Sequence, residues 1–297
     1  VVLMRQKLRW KPWFYCVPAL LLIFIVIVFP IAYTGYISLT NMNLYHWTDY
    51  GFIGFDNYAR ALFKFDSGFL AALGTTLVWT VLNMAIQIGL GFFIALGLNA
   101  PGLRLKRVYK TLLMVPWAVP AYISILLWRV GMFNTEFGIL NKFLAMLGLG
   151  KVDFLASNGI AFLSCMALNL WMALPFMIST IDGALQSVDG SLYESATLDG
   201  AGFWVRTWSI TVPAIRPIIA PAAVMTTFIT FKQFDIIYLL TQQRGYMTGA
   251  TLNTVITYAH QNAFASNNYG LSSAVSMLLF VVIILFSILT NRSLRED

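Results

Sequence analysis

Residues 13–39 read WFYCVPALLLIFIVIVFPIAYTGYISL, without a single charged side chain. A bilayer core about 30 Å thick is crossed by about 20 apolar residues in a helix, so this run is long enough to span one. The basic stretch before it (Arg5, Lys7, Arg9, Lys11) gives the start the look of a secretory signal. The run is too long for a signal's apolar region, and no small-x-small cleavage site follows it. It reads as an uncleaved first membrane span. Residue 1 is Val rather than Met, which leaves room for residues ahead of it.

The rest of the chain agrees with that first run. Of 297 residues, 59% are hydrophobic and 10% charged, against about 25% charged in soluble domains. Mean hydropathy is +0.75. A globule of 33.3 kDa cannot hide that excess, because its surface must still be largely polar. Lipid is the solvent for much of the chain, which excludes a soluble enzyme and a disordered protein. Cys16 and Cys165 lie in apolar runs without metal-ligand spacing and read as two buried thiols.

Six runs have spanning length, at about 13–39, 69–99, 111–131, 158–180, 217–241 and 271–291. Backbone groups in lipid must pair within their own segment, and the runs lack barrel-like alternation, so they are helices. Pro116, Pro120, Pro175 and Pro221 place tolerated kinks within them. Of 19 Lys and Arg, twelve fall on one side: Arg5, Lys7, Arg9, Lys11, Arg104, Lys106, Arg107, Lys110, Arg206, Arg216, Arg292 and Arg295. Cationic loops stay cytoplasmic. The fold class is therefore an all-α membrane protein with six transmembrane helices and both termini cytoplasmic, and the net charge of +7 needs no nucleic-acid partner.

One cytoplasmic connection, 181–216, is far longer than the usual handful of residues. Ser191 with Glu194 three residues on fits a capped helix start, and Gly200 and Gly202 suit a turn between two short helices. Phe203, Trp204 and Trp208 suit an aromatic cluster wedged under the membrane, with Pro213 and Pro217 opening the next span. Composition alone leaves two readings, a loop resting on the bilayer or a docking element for a cytoplasmic partner.

The spacing Glu194-Ser195-Ala196…Gly200…Ile210-Thr211-Val212-Pro213 is similar to the Glu-Ala-Ala…Gly…Ile-x-Leu-Pro pattern of membrane subunits of binding-protein-dependent ABC importers. Ser195 and Val212 depart from it conservatively. The string Leu192–Gly202, with Asp199 before Gly200, resembles the carbohydrate branch. So do Phe52–Tyr58 in the first outer loop, Val115–Pro120, and Gly138–Asn141 with Leu147–Leu149. The resemblance implies a type I importer permease fold with Glu194, Ser195, Ala196, Asp199, Gly200, Ile210 and Pro213 as the coupling surface. It also implies a second homologous permease, two ATP-binding cassette subunits holding ATP and Mg, an extracytoplasmic solute-binding protein, and a bacterial cytoplasmic (inner) membrane. The chain itself would bind no cofactor and no metal.

Chemistry of other kinds finds little support. Gly150-Lys151 is followed by Val152, so no phosphate-cradling loop exists. His46 and His260 stand apart and read as surface residues. An intramembrane enzyme or scaffold would need paired ionisable groups at one depth, and a secondary transporter would need internal repeats or coupling carboxylates. A permease for glycerol phosphate stays open as an alternative to sugar.

Polar groups within spans are functional candidates, although ordinary interhelical packing explains such groups as well. Laid out from the coupling pattern without gaps, the maltose-type pocket falls on Met172, Ala173, Phe176, Thr226, Ile229, Thr230 and Gln233. Ile229 stands where that pocket has an aromatic and Thr230 where it has an amide, so the location transfers better than the ligand. Lys232 is a cation deep in a span. Either Asp235, three residues on, neutralises it, or it joins Arg129 and Arg244 as a rim for an acidic sugar of alginate or pectin type.

Overall fold

The computed structural model describes residues 11–64, 68–242 and 252–296. Arg5, Lys7, Arg9 and Arg244 lie outside the described residues.

Among the described residues the secondary structure is helical apart from one isolated antiparallel bridge, Thr40 to Phe52. Helix α1 (Trp13–Ser38) is followed by a short α2 (Asp56–Phe63), then α3 (Phe69–Leu98). Helices α4 (Lys106–Ala118) and α5 (Ala121–Met132) share the third apolar run, and α6 (Ile139–Met146) lies in the next connection. Then come α7 (Asn158–Gln186), α8 (Gly190–Leu198), α9 (Phe203–Thr241), α10 (Val255–Phe264) and α11 (Tyr269–Glu296). Among the described residues five helices are long and apolar enough to cross a membrane, and six spans result if α4 and α5 count as one.

That third run bends by 94° between α4 and α5. Of the two prolines expected to kink it, Pro116 stays inside α4 while Pro120 makes the break. The ring of Pro120 drives Val119 out of the helical region to φ −86, ψ 133. The fifth run also differs from expectation, because its helix starts at Phe203 rather than near Pro217. With α7 continuing to Gln186, the connection shrinks to residues 187–202. Only its first helix is short; the second is the beginning of a long apolar helix.

Internal contacts gather in two compact units, Val1–Leu70 with Tyr258–Val282 and Ala71–Thr257 with Ile283–Asp297. In the first, the most apolar stretch of α1 has no residue buried by protein, so it is left to lipid or to another chain. Cys16 on this helix is accordingly exposed, contrary to the expected burial. The string Phe52–Tyr58 has a packing purpose here. Asn57 donates its amide to the carbonyls of Ser38 and Thr40, at 2.9 and 2.7 Å, and so ties the loop to the end of α1. His260 is half-buried beside the ring of Phe264 rather than on the surface.

In the second unit one core cluster joins Trp79, Ile125, Cys165, Leu168, Ile236 and Leu240. Another joins Met84, Phe92, Met177, Ile181 and Ile215. Small residues let membrane helices approach until side chains interlock. A Cβ at Gly91 of α3 would sit 3.0 Å from Met177 Cγ of α7, so only glycine permits that approach without displacement.

Candidate functional site

Helix α8 is opened by Asp189, not by Ser191 as the sequence suggested. The Asp189 carboxylate accepts the Ser191 N–H at 2.9 Å, the bond an N-cap makes to the second helical residue. The backbone and hydroxyl of Ser191 hold this exposed carboxyl below the usual carboxylate range.

One face of α8 is fastened to the start of α9. Tyr193 and Thr211 share a hydrogen bond of 3.0 Å, and Arg206 Nη1 donates to Thr197 Oγ1 at 3.0 Å. Ala196 is buried between them, and its carbonyl accepts the Ala201 N–H at 2.8 Å. Thr211 reaches Tyr193 from a wide π turn at Thr207–Thr211, an irregularity common where a helix carries function. Gly200 closes the turn at φ +75, a left-handed conformation that side chains resist.

The opposite face of α8 is open. Glu194, Ser195, Asp199 and Gly200 are exposed, and Leu198 is 90% exposed. A leucine that bare beside a carboxylate, on a helix pinned from behind, is an exposed apolar group on a firmly held helix. Leu198 was missed by sequence reasoning; its signal was an aliphatic residue two positions after Ala196, which puts it on the face away from the buried alanine, and Leu192 of the same helix is exposed as well. Ile210 is half-buried and Pro213 exposed, both on α9 and away from the open face's turn. The expected aromatic wedge divides: Phe203 and Trp204 pack together at 5.3 Å, while Trp208 turns to Phe92 at 6.4 Å.

The positions expected to line a pathway split between two faces of α9. Thr226 and Thr230 are buried, and Thr226 donates to its own helix at Ala222 O, 2.9 Å away. Ile229 is 55% exposed, as is Met225 at 62%, one turn earlier and not foreseen. On α7, Met172 and Ala173 are half-buried, and Phe176 is exposed with its ring 6.4 Å from that of Trp117. The helix is interrupted at Lys232, directly after Phe231. Trp79 Nε1 donates to the Thr230 carbonyl at 3.2 Å, a carbonyl at the helix end that also accepts the Gln233 N–H at 3.2 Å.

This interruption removes the geometry assumed for Lys232 and Asp235. Asp235 begins a new helical segment instead of lying one turn along the same one. Both residues are exposed, Gln233 between them is half-buried, and among the described residues Lys232 forms no ion pair. Arg129 is committed elsewhere, donating to the Leu239 carbonyl at 3.0 Å. Of the expected cationic rim, Lys232 is the member seen open.

The family model described as "Binding-protein-dependent transport system inner membrane component" matches residues 87–295. The chain belongs to that family. It is thus a multi-pass membrane subunit of a transport system. Over 293 residues it is 31% identical to the galactooligosaccharides transport system permease protein GanP of Bacillus subtilis, covering 94% of this chain and 70% of that one. Over 271 residues it is 32% identical to the trehalose/maltose transport system permease protein MalF of Thermococcus litoralis, covering 91% and 89%. Its fold is similar to that of a chain in the crystal structure of a bacterial alginate ABC transporter bound to an alginate pentasaccharide-bound periplasmic protein. The TM-score is 0.82 at 23% identity, over 98% of this chain and 96% of that one.

Proposed function

We propose that this chain is the translocation subunit of an ATP-driven importer for an oligosaccharide. It pairs with a second, similar permease, two ATP-binding cassette subunits that hold ATP and Mg, and an extracytoplasmic solute-binding protein, in a bacterial cytoplasmic membrane. The observation that carries this reading is α8, a cytoplasmic helix pinned along one face and bare along the other. ATPase closure moves α8, and α9, continuous with its support, carries that movement into the spans. Coupling of this kind requires ATP and the loaded binding protein each to favour one conformation. The names of the permease relatives support a sugar as cargo. The exposed face of α9 with Met225, Ile229 and Lys232, together with Met172, Ala173 and Phe176 of α7, is where it passes; Thr226 and Thr230 hold α9 in place, and Gln233 stands beside Lys232.

The open Lys232 favours an acidic oligosaccharide over a neutral one or glycerol phosphate. An exposed cation at the break in α9 attracts an anionic cargo by charge complementarity. The test is reconstitution of the complete complex, with uptake of maltotriose, a galactotriose and an alginate trisaccharide compared for wild type and Lys232→Gln. Selective loss of alginate uptake in the variant is expected; equal loss of all three overturns the acidic reading. ATP hydrolysis by the isolated chain would sink the assignment of ATPase to separate subunits.

A further inference from the structure

Eight residues before α8, the Asp182 carboxylate is nearly buried at 8% exposure, near the cytoplasmic end of α7. It is bound from every side. Lys110 Nζ of α4 pairs with Oδ2, and Asn99 Nδ2, just past the end of α3, donates to Oδ1 at 2.8 Å. Gln186 Nε2, one turn on, donates to Oδ2 at 2.8 Å. A second cation joins from α4, because Lys106 Nζ donates to Asn99 Oδ1 at 2.7 Å. One carboxylate thereby knots the inner ends of three helices.

The same stretch of α7 contains a point of slack. Pro175 is buried within the helix and has no N–H for the Trp171 carbonyl, so the ladder is broken there. A cavity of about 90 Å³ lies beside it, lined by Pro175, Ile178 and Asp182 of α7, Lys110 and Met114 of α4, and Leu98 of α3. The segment from Pro175 to Gln186 has a weak hinge and a small cavity on its α4 side; Met177 and Ile181 pack it against α3 and α9, and the Asp182 knot is its charged tie to α4.

We propose that Asp182 is a positioning residue for transport: with Lys110 and Asn99 it forms a latch that makes α8 move together with α3 and α4. The proposal rests on the reading of α8 as the ATPase docking helix. While the latch holds, the ATPase pair closes only by moving the spans, and hydrolysis without a loaded binding protein is slow. With the latch broken, the inner end of α7 parts from α4 and the end of α3, and α8 follows the ATPase without drawing them along.

The experiment uses the reconstituted complex with ATP as the only probe and no binding protein present. Asp182→Asn is expected to raise basal hydrolysis at least about fivefold, the lower end of ordinary coupling effects. Lys110→Gln should raise it similarly, Lys110→Arg should keep the wild-type rate, and the double variant should rise no further than either single one. Merely structural damage lowers basal hydrolysis rather than raising it. Basal rates unchanged or lowered in Asp182→Asn overturn the latch, as do independent, multiplying effects in the double variant. Should Asp182→Asn fail to assemble, Lys110→Gln decides by the same rise. A wild-type complex with no hydrolysis at all instead overturns the docking of α8 on an ATPase.

Discussion

Asn141 in the connection after α5 and Asp182 near the end of α7 are both almost buried, at 4% and 8% exposure, yet they are tied in opposite ways. Asn141 is a neutral amide bonded to nearby backbone. It donates to the Asn134 and Val152 carbonyls at 3.2 and 2.9 Å and accepts the Val152 N–H at 2.8 Å. Gly138 adds to the same knot, since a Cβ there would lie 2.3 Å from Asn134 O. Lys151 pairs with Glu136 at 2.5 Å. Asp182 is a charge bonded to side chains 72 and 83 residues away. Local amide-to-backbone ties fix the shape of one loop. Long-range ties between charged and amide side chains join separate helices, and each partner can pair elsewhere when the helices move. The first region is scaffold and the second is machinery.

The sharpest way to break this contrast is Glu194→Lys on the bare face of α8. Insertion and thermal stability should match wild type, while uptake falls on the order of a hundredfold, the strong end of measured site-to-site coupling. Stable protein with wild-type uptake would show that the face docks nothing.

The complementary change is Asn141→Leu, which strands the N–H and carbonyl of half-buried Val152, while the Asn134 carbonyl keeps the Gly138 N–H. A loss of about 2–3 kcal/mol is expected, seen as a lower midpoint in thermal unfolding, with uptake per folded molecule unchanged. Stable but inactive protein would move this loop into the machinery.

A smaller effect is expected at Gly200. Valine at φ +75 costs about 1–2 kcal/mol of backbone strain. Asparagine tolerates this conformation better, so Gly200→Asn should keep more uptake than Gly200→Val; equal uptake by both would remove the need for a left-handed turn.

The smallest effect concerns the Asp189 cap. Its carboxyl titrates below the usual range when folded. The stabilisation it gives α8 is therefore fully present above about pH 3.9, the usual aspartate value, and fades as pH falls through the folded one. Between pH 7 and 5 the stability difference between wild type and Asp189→Asn should stay constant. A difference that shrinks within that window contradicts the depressed carboxyl.

Much of this was legible in sequence because the signals were compositional or local. Uncharged runs of spanning length need no partner to be recognised, and Gly200 announces a turn by its chemistry. The spacing from Glu194 to Pro213 located α8 to within a residue or two. Its cap was misplaced because Ser191 and Asp189 are both good caps; Asp189 has the extended φ −64, ψ 126 of a cap, whereas Ser191 already lies within the helix. The Lys232–Asp235 pair failed for a related reason. The three-residue rule assumes an unbroken helix, and the break at Lys232 goes with an indole from α3 that no local pattern reveals.

The sequence by itself determined that the chain spans a membrane and where its short connecting helix lies, because lipid punishes unpaired backbone and buried charge wherever they occur. Only the tertiary structure decided which polar residues are bound and which are open. Thr226 and Ile229 differ by less than one turn, yet one is buried and the other bare. Asp182 looks like any acidic residue at a helix end until Lys110 and Asn99 arrive beside it. Those outcomes depend on neighbours far along the chain, and the packing of helices alone brings them together.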